Sequence, residues 1–129
     1  MIEKRYAHAC LFDETTNSVY VMGGENENYI MLDSTEKWTI GTNSWLKSGN
    51  LVKRVADSRA VSAKSKHYVG YMTGGWSSGV QSNEIWGLRR LDMRWKVLDK
   101  KLKIRRKGHS MLNIPVHQVL ECKSFYIYL

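Results

Sequence analysis

Cysteine and proline are scarce in this chain, which has two cysteines and one proline among 129 residues. Cys10 and Cys122 lie far apart and form no Cys-x-x-Cys spacing, so neither a disulfide framework nor a thiolate zinc site is indicated. No apolar run reaches the roughly 18 residues that a membrane-spanning helix needs. Charged residues stand where a secretory signal would place its apolar core. These absences predict free thiols, no membrane segment and a cytoplasmic location.

The remaining composition is that of one globular domain, with 43% apolar and 25% charged residues. Seven tyrosines, five tryptophans and ten glycines favour strands and turns over long helices. The sequence therefore predicts an all-β fold.

Positive charge is in excess, because 20 lysines and arginines face 12 aspartates and glutamates, which gives a net charge of +8. Much of the excess falls in residues 96–107, where Asp99 is the only acidic residue. A basic segment of this kind contacts nucleic acid, an acidic partner or anionic lipid, or it is simply a solvated loop. We favour the solvated loop, because Trp95 is the only aromatic residue beside it and single-strand grooves use several.

Three sets of markers repeat along the chain with a common period near fifty residues. The glycine pair at 23–24 returns at 74–75, an offset of 51, and Trp45 returns as Trp95, an offset of 50. Chance matches would not share a spacing, so the chain contains a repeated unit. The third set consists of arginine-led segments, which are Arg5 with His8, Arg54 with Asp57, and Arg106 with Gly108 and His109.

Each repeat predicts four short strands. The arginine-led marker precedes the first strand, and the second strand is an aromatic and β-branched run that leads into the glycine pair. A third run contains Trp38 in the first repeat and Trp86 in the second, at places that match in the sequence. The fourth strand begins near Trp45 or Trp95. Four short strands in about fifty residues are typical of one β-propeller blade.

This pattern resembles the kelch repeat, whose hallmarks are a diglycine closing the second strand and a tryptophan opening the fourth. The resemblance covers nearly the whole chain, although Trp38 and Trp86 replace the usual tyrosine of the third strand. Arg54 also lies farther from its glycine pair than Arg5 does, which implies a small insertion or a slip in the alignment. The residues assigned to the structural motif are Arg5, His8, Gly23, Gly24, Trp45, Arg54, Gly74, Gly75, Trp95, Arg106, Gly108 and His109.

The resemblance implies a partial β-propeller of about two and a half four-stranded blades. The first blade would cover residues 5–50, the second 54–101, and half of a third 106–129. A closed propeller needs at least four blades. We therefore expect either the remaining blades of a longer chain or self-association of several copies. Residues 125–129 mimic the run before each glycine pair, and the sequence ends where the next pair would fall.

The glycine pairs and tryptophans have structural roles in this interpretation. Neither glycine pair is followed by the Lys-Ser or Lys-Thr of a phosphate-binding loop. Glycine instead allows positive φ and a close backbone approach where inner strands crowd. A tryptophan at a fixed place in each repeat buries a large face against the adjoining blade, which we favour over a stacking platform for sugars or bases.

The repeated arginines have two interpretations. They anchor the connection between blades by donating to backbone carbonyls, which we favour, or they recognise a partner. In kelch domains that bind acidic peptides, arginines near the central channel bind carboxylates, and a guanidinium suits that geometry. The resemblance thus makes Arg5, Arg54 and Arg106 candidate residues for binding an acidic protein partner.

For function, the resemblance implies a protein–protein interaction module without catalytic residues or cofactor. Kelch propellers serve as substrate receptors in BTB-kelch adaptors of cullin ubiquitin ligases, and others bind actin. Residues 25–33 form a longer and more acidic connection than residues 76–81, as expected of a recognition surface.

An enzyme is the alternative, since kelch-like propellers such as galactose oxidase carry copper. The histidines here form no His-x-His or helical His-x-x-x-His pair, and no Gly-x-Ser-x-Gly elbow occurs. We rank a copper oxidase fragment, and nucleic-acid binding through residues 96–107, below the interaction module. The four histidines are His8, His67, His109 and His117.

Overall fold

The structure, a computed structural model, describes residues 1–113, and over this range the chain forms β-strands and no helix. The prediction of an all-β fold is confirmed for these residues. No helix in the described range is long and apolar enough to cross a membrane. Most of the expected half-blade, with His117 and Cys122, lies outside the described residues. The strands are β1 (Ala9–Asp13), β2 (Ser18–Met22), β3 (Thr35–Thr39), β4 (Trp45–Ser48), β5 (Arg59–Ser62), β6 (Tyr68–Thr73), β7 (Trp76–Ser77), β8 (Val80–Gln81), β9 (Glu84–Arg89) and β10 (Trp95–Lys101).

Two four-stranded antiparallel sheets contain eight of these strands. The first sheet has the order β1-β2-β3-β4 and the second has the order β5-β6-β9-β10. Strands β7 and β8 pair with each other as a small hairpin inserted between β6 and β9. Each four-stranded sheet is therefore a meander, in which every strand pairs with the next strand of the same sheet along the chain. Short connections favour this arrangement, because two antiparallel neighbours can be joined by a tight turn.

Alternation along the inner strand shows which side of the first sheet meets the core. In β1, Ala9, Leu11 and Asp13 are buried, whereas Cys10 and Phe12 are exposed. Successive side chains of a strand point to opposite faces, so a period of two marks a half-buried sheet. One face of the first sheet thus packs inward, and the other carries the free thiol of Cys10.

The two large sheets share one hydrophobic core, and β1 of the first packs against β5 and β6 of the second. Both sheets and the connection between them contribute side chains. Burial of this apolar area is the main favourable contribution to folding, at roughly 25 cal/mol per Å². The members are Ala9, Leu11, Tyr20, Met22, Leu51, Val55, Val69, Met72, Trp86, Leu88 and Trp95.

A buried ion pair ties the far turns of the two sheets together. Arg90 donates to both carboxylate oxygens of Asp13, at 3.1 and 2.9 Å. Burial alone would raise the pKa of the Asp13 carboxyl, but donors from Arg90, Thr16 and Thr15 outweigh burial and lower it. The carboxylate is therefore ionised at neutral pH, and the pair fixes the β1–β2 turn to the β9–β10 turn.

Backbone hydrogen bonds around the glycine pairs recur in the two sheets. Gly24 donates its N–H to the carbonyl of Val55 at 2.8 Å, and Gly75 donates to the carbonyl of Arg106 at 2.9 Å. Donors and acceptors are each displaced by 51 residues. The period found in the sequence is therefore also a period of the hydrogen-bond pattern.

A second recurring contact joins successive connections. Ala7, Asp57 and Gly108 all have positive φ, at 51°, 55° and 60°. Asp57 donates its N–H to the Ala7 carbonyl at 2.8 Å, and Gly108 donates to the Asp57 carbonyl at 2.9 Å. A residue in the left-handed region thus donates to its counterpart in the preceding repeat. These hydrogen bonds link the segment before β1 to the segment before β5, and that segment to the one around Gly108.

The register of the third strands corrects the match between Trp38 and Trp86. Trp38 pairs with Trp45 in the first sheet, whereas Leu88 pairs with Trp95 in the second. Leu88 is therefore the counterpart of Trp38, and Trp86 lies two residues earlier in β9. A shift of two residues keeps a side chain on the same face of a strand. The sequence pattern could not detect the shift for that reason.

The two fourth-strand tryptophans differ in burial. Trp95 is 5% exposed, and its Nε1 donates to the Thr35 hydroxyl of the first sheet at 3.2 Å. Trp45, at the same place in the first sheet, is half-buried and stacks on Trp38 with the ring centroids 6.3 Å apart. The expected burial against an adjoining sheet is thus seen for Trp95. No sheet within residues 1–113 covers Trp45.

Replacement of Trp95 by alanine is expected to lower the free energy of unfolding by about 3–5 kcal/mol, because it opens a large cavity in the core. The Trp45→Ala variant is the matched control and should lose only about 1 kcal/mol, since much of its ring is already in water. Urea unfolding followed by far-ultraviolet circular dichroism measures both. Equal losses would contradict the different packing of the two tryptophans.

The glycine pairs provide a second test. A Cβ built on Gly24 would lie 2.4 Å from the backbone oxygen of Tyr6, whereas a Cβ on Gly79 meets nothing within 4 Å. Their φ angles are similar, +88° and +80°, so alanine introduces a similar left-handed strain at both. Gly24→Ala should therefore lose about 1–3 kcal/mol more stability than Gly79→Ala, because only Gly24→Ala overpacks. Thermal unfolding of the two variants gives this difference, and equal melting would rule out close approach as the role of Gly24.

Candidate functional site

The longest connections of both sheets lie at one end. In an antiparallel meander the chain reverses at each strand, so the connections after β2, β4, β6 and β10 share an end. We call this the loop end; it consists of residues 23–34, 49–58, 74–83 and 102–109. Loops held on a rigid sheet are a common location for binding residues. The opposite end has only short turns.

The first of these connections is ordered by its own hydrogen bonds. Asn26 accepts the Asn28 and Ile30 N–H groups on its side-chain oxygen, both at 3.1 Å, and donates its N–H to the Ile30 carbonyl. An asparagine that satisfies the backbone of its own turn stabilises a tight loop. Tyr29, at the tip, is 82% exposed, and Ile30 is also exposed. Two apolar side chains are therefore presented to solvent on a defined turn.

Tyr6 supports this loop from the N-terminal segment. Its hydroxyl donates to the Glu25 carboxylate at 2.6 Å, and its ring meets Tyr29 edge to face at 6.4 Å. The hydrogen bond to Glu25 is the main cause that raises the Tyr6 pKa to about 12. The phenol therefore stays protonated at neutral pH. Tyr6, Tyr29 and Ile30 were not singled out by the sequence analysis, because exposed aromatic residues in a loop carry no periodic signal.

A cleft of about 310 Å³ lies beside this loop. Its charged lining residues are Glu3, Lys4 and Glu27, and Lys4 and Glu27 approach to 3.9 Å across it. Both partners of that pair are largely exposed, so their attraction contributes little to stability. With two carboxylates and one ammonium group, the lining of this cleft has a net negative charge.

Arg5, a candidate for partner binding, lies inside the protein. It is 8% exposed and donates to the carbonyls of Gly23 and Ser34, each at 3.0 Å. It also donates to the Ser34 hydroxyl at 3.0 Å and to the Glu36 carboxylate at 2.6 Å. These contacts tie the N-terminal segment to the glycine pair and β3, which is the geometry of an anchor. A guanidinium with these four acceptors is not presented to a partner.

The structure also corrects the alignment of the arginine-led segments. Tyr6 and Ala56 hold equivalent positions, because each exchanges two backbone hydrogen bonds with the residue after a glycine pair. Val55 is therefore the counterpart of Arg5, and aligning Arg5 with Arg54 is wrong by one residue. An alignment by residue type differs here from an alignment by hydrogen bonding, because the fold preserves the backbone hydrogen bonds and not the arginine.

Arg54 and Arg106 lie in different surroundings from Arg5. Both are exposed at the loop end, where the Arg54 carbonyl accepts the Ser77 hydroxyl at 2.7 Å. The Arg106 carbonyl accepts Gly75 N–H, and its Nε donates to the Ile104 carbonyl at 3.4 Å. Their backbone carbonyls therefore connect the neighbouring segments through hydrogen bonds, and their guanidinium groups remain at the surface.

The two motif histidines occupy equivalent positions and are largely shielded. The Nε2 of His109 lies 2.7 Å from the Thr73 hydroxyl. Burial is the first cause that lowers the pKa of both His8 and His109, and nearby arginines lower it further. Both rings are therefore neutral at pH 7. Within residues 1–113, no three His, Cys, Asp or Glu side chains gather as a metal site would require.

The basic segment is partly strand rather than a solvated loop. Residues 96–101 belong to β10, at the edge of the second sheet, and only the remainder forms a connection. Lysines on an edge strand oppose pairing with another chain, because each added strand would bury charge. The expectation of a loop across the whole segment is thus wrong for its first half.

Comparison with known proteins gives no family for this chain. No protein-family model matches the chain, and no curated protein matches its sequence.

The Arg5–Glu36 pair generates a pH prediction. Burial would raise the pKa of the Glu36 carboxyl, but donors from the Ile2 and Glu3 backbones and from Arg5 outweigh it and lower the pKa. A lowered folded-state pKa stabilises the protein above the usual glutamate pKa, about 4.3, and that contribution is lost as pH falls from there toward the folded-state value. Glu36→Gln should thus cost about 3–5 kcal/mol at pH 7, because it leaves the Arg5 cation buried without a counter-charge.

The loss caused by Glu36→Gln should shrink as pH falls below about 4.3, because the unfolded native chain then takes up a proton on Glu36 while the folded carboxyl, with its lowered pKa, remains ionised. Urea unfolding of the native protein and of the Glu36→Gln variant at pH 7 and at pH 3 measures how far their free energies of unfolding converge. Glu25→Gln is the control, since its carboxylate lies at the surface, and should change stability by less than about 0.5 kcal/mol. A Glu36→Gln loss that is constant from pH 7 to pH 3 would contradict the proposed ionisation.

Proposed function

We propose that this chain is part of a kelch-type β-propeller whose loop end recognises a protein partner without catalysis. One observation carries the proposal: the backbone hydrogen bonds around the glycine pairs recur at a displacement of 51 residues in two consecutive four-stranded meanders. A propeller is built from such meanders repeated around an axis. The kelch diglycine and fourth-strand tryptophan stand at corresponding places in both.

The packing between the sheets supports the same interpretation. The second sheet places Trp95 against Thr35 of the first, and the first sheet carries Trp45 at the corresponding position on its own far side. In repeat proteins each unit buries its faces against its neighbours. Further blades, from a longer chain or from other copies, would cover the side that bears Trp45 and Trp38.

Recognition at the loop end is supported by residues 25–33. This turn presents Tyr29 and Ile30 on a frame of backbone hydrogen bonds, and tyrosine is among the residues that contribute most at interfaces. A preorganised loop loses little conformational entropy on binding. Within the kelch family, the roles we propose for such a surface are substrate reception for a cullin ubiquitin ligase adaptor or binding to actin.

Peptides selected from a random display library on the full chain are expected to bind at the loop end. Tyr29→Ala should weaken the selected peptides by at least tenfold, because a buried tyrosine at an interface contributes about 2 kcal/mol or more. Leu91→Ala is the matched control, since Leu91 is 91% exposed but lies in the β9–β10 turn at the opposite end. It should leave the dissociation constant within twofold, as measured by fluorescence anisotropy.

Three results bear on the proposal in opposite senses. Weakening by Tyr29→Ala alone supports recognition at the loop end. Weakening by Leu91→Ala alone would move the surface to the opposite end, and a chain that enriches no peptide would overturn the interaction role.

A further inference from the structure

A second cleft, of about 190 Å³, lies at the loop end beside the β7–β8 hairpin. Three cationic side chains and one carboxylate line it, together with the exposed side chain of Val80. One cation is distant in sequence from the other two, so folding brings it beside them. They are Lys53 of the β4–β5 connection, Lys101 at the end of β10, and Arg105 beyond it.

One of these cations is held in place. The Nζ of Lys53 lies 2.7 Å from the Glu84 carboxylate and 5.8 Å from the centre of the Trp86 ring. Glu84 also accepts the Trp86 Nε1–H at 3.1 Å. Lys53 therefore has a fixed position between a carboxylate and an aromatic face, which reduces the entropy lost when it contacts a ligand.

The other two cations lack a close counter-charge in the described part of the chain, although the charge of Lys101 reaches Glu84 and helps to lower its pKa. Neither Lys101 nor Arg105 forms an ion pair there, and both are exposed. Glu84 compensates one of the three positive charges, so the cleft keeps an excess of two. An arginine beside two lysines suits a carboxylate, which the guanidinium can bind through two parallel hydrogen bonds.

We propose that this cleft binds a carboxylate side chain of an acidic peptide segment in the protein partner. The inference rests on the proposed function, and it places the acidic contact at Lys53, Lys101 and Arg105 instead of the repeated arginines Arg5, Arg54 and Arg106. Val80 supplies an apolar contact next to the charge.

The surroundings favour a short acidic segment over a nucleic acid. The cleft beside the first loop, at the same end, is lined by Glu3 and Lys4 of the N-terminal segment and by Glu27 of the loop, so its charge is negative on balance. A long polyanion lying across both clefts would be repelled by these carboxylates. A peptide whose acidic residues are confined to one part of its length would avoid that repulsion.

The probe for this proposal is a fluorescein-labelled peptide with a short run of glutamates, titrated against the full chain by anisotropy. Its counterpart with glutamines in the same places tests the need for charge, and oligothymidine tests for nucleic acid. Arg105→Gln and Lys101→Gln should each weaken the glutamate peptide about tenfold. Glu84→Gln should strengthen it several-fold, because it removes the negative charge from the cleft and keeps an acceptor for Trp86.

Matched controls lie in the same segment. Lys100→Gln and Lys103→Gln remove the same charge from exposed positions that do not line the cleft, and should change the dissociation constant less than twofold. Circular dichroism spectra and melting temperatures of all five variants verify that each is folded. Equal weakening by Lys100→Gln and Lys101→Gln would overturn the proposal in favour of diffuse attraction.

The remaining outcomes also discriminate. Equal binding of the glutamine peptide would show that no carboxylate is recognised, and tighter binding of oligothymidine, with a steep loss on adding salt, would assign the cleft to nucleic acid. If Tyr29→Ala weakens selected peptides while the cleft variants bind the glutamate peptide normally, this inference fails and the proposed function stands. If no peptide engages the loop end at all, both fail.

Discussion

The packing of the second sheet onto the first is the interaction on which the rest of the structure depends. A four-stranded meander of this size buries too little apolar surface by itself to offset the entropy of ordering its chain. The shared core provides that surface, with Trp86, Leu88 and Trp95 from one sheet and Tyr20 and Met22 from the other. The contacts between the connections of the two sheets, such as Gly24 with Val55 and Asp57 with Ala7, depend on this pairing.

Polar interactions set the geometry of that packing at both ends. The Asp13–Arg90 pair joins the short turns, and at the loop end the carbonyls of Val55 and Arg106 accept from successive glycine pairs. A buried ion pair or backbone hydrogen bond adds modest net stability, but an unpaired group would be costly, so such contacts select one arrangement. Together these contacts hold the two sheets in one relative orientation.

The loop end combines two surfaces of opposite character on one frame. The connection between β2 and β3 is acidic and presents an exposed tyrosine, and the cleft beside the β7–β8 hairpin is lined by Lys53, Lys101 and Arg105. The three cations of this cleft are part of the net charge of +8.

The all-β fold, the period and the glycine pairs could be predicted from the sequence, because they follow from local preference and spacing. Runs such as 18–22 favour strands wherever they occur, and positive φ at Gly23 and Gly24 is a property that glycine itself permits. Only the tertiary structure decided which Trp is buried, that Val55 rather than Arg54 matches Arg5, and that Lys53 and Arg105 line one cleft. Those facts depend on strand register and on packing between distant segments. Trp45 and Trp95 stand in the same local sequence pattern, but only the face that carries Trp95 packs against another sheet within residues 1–113.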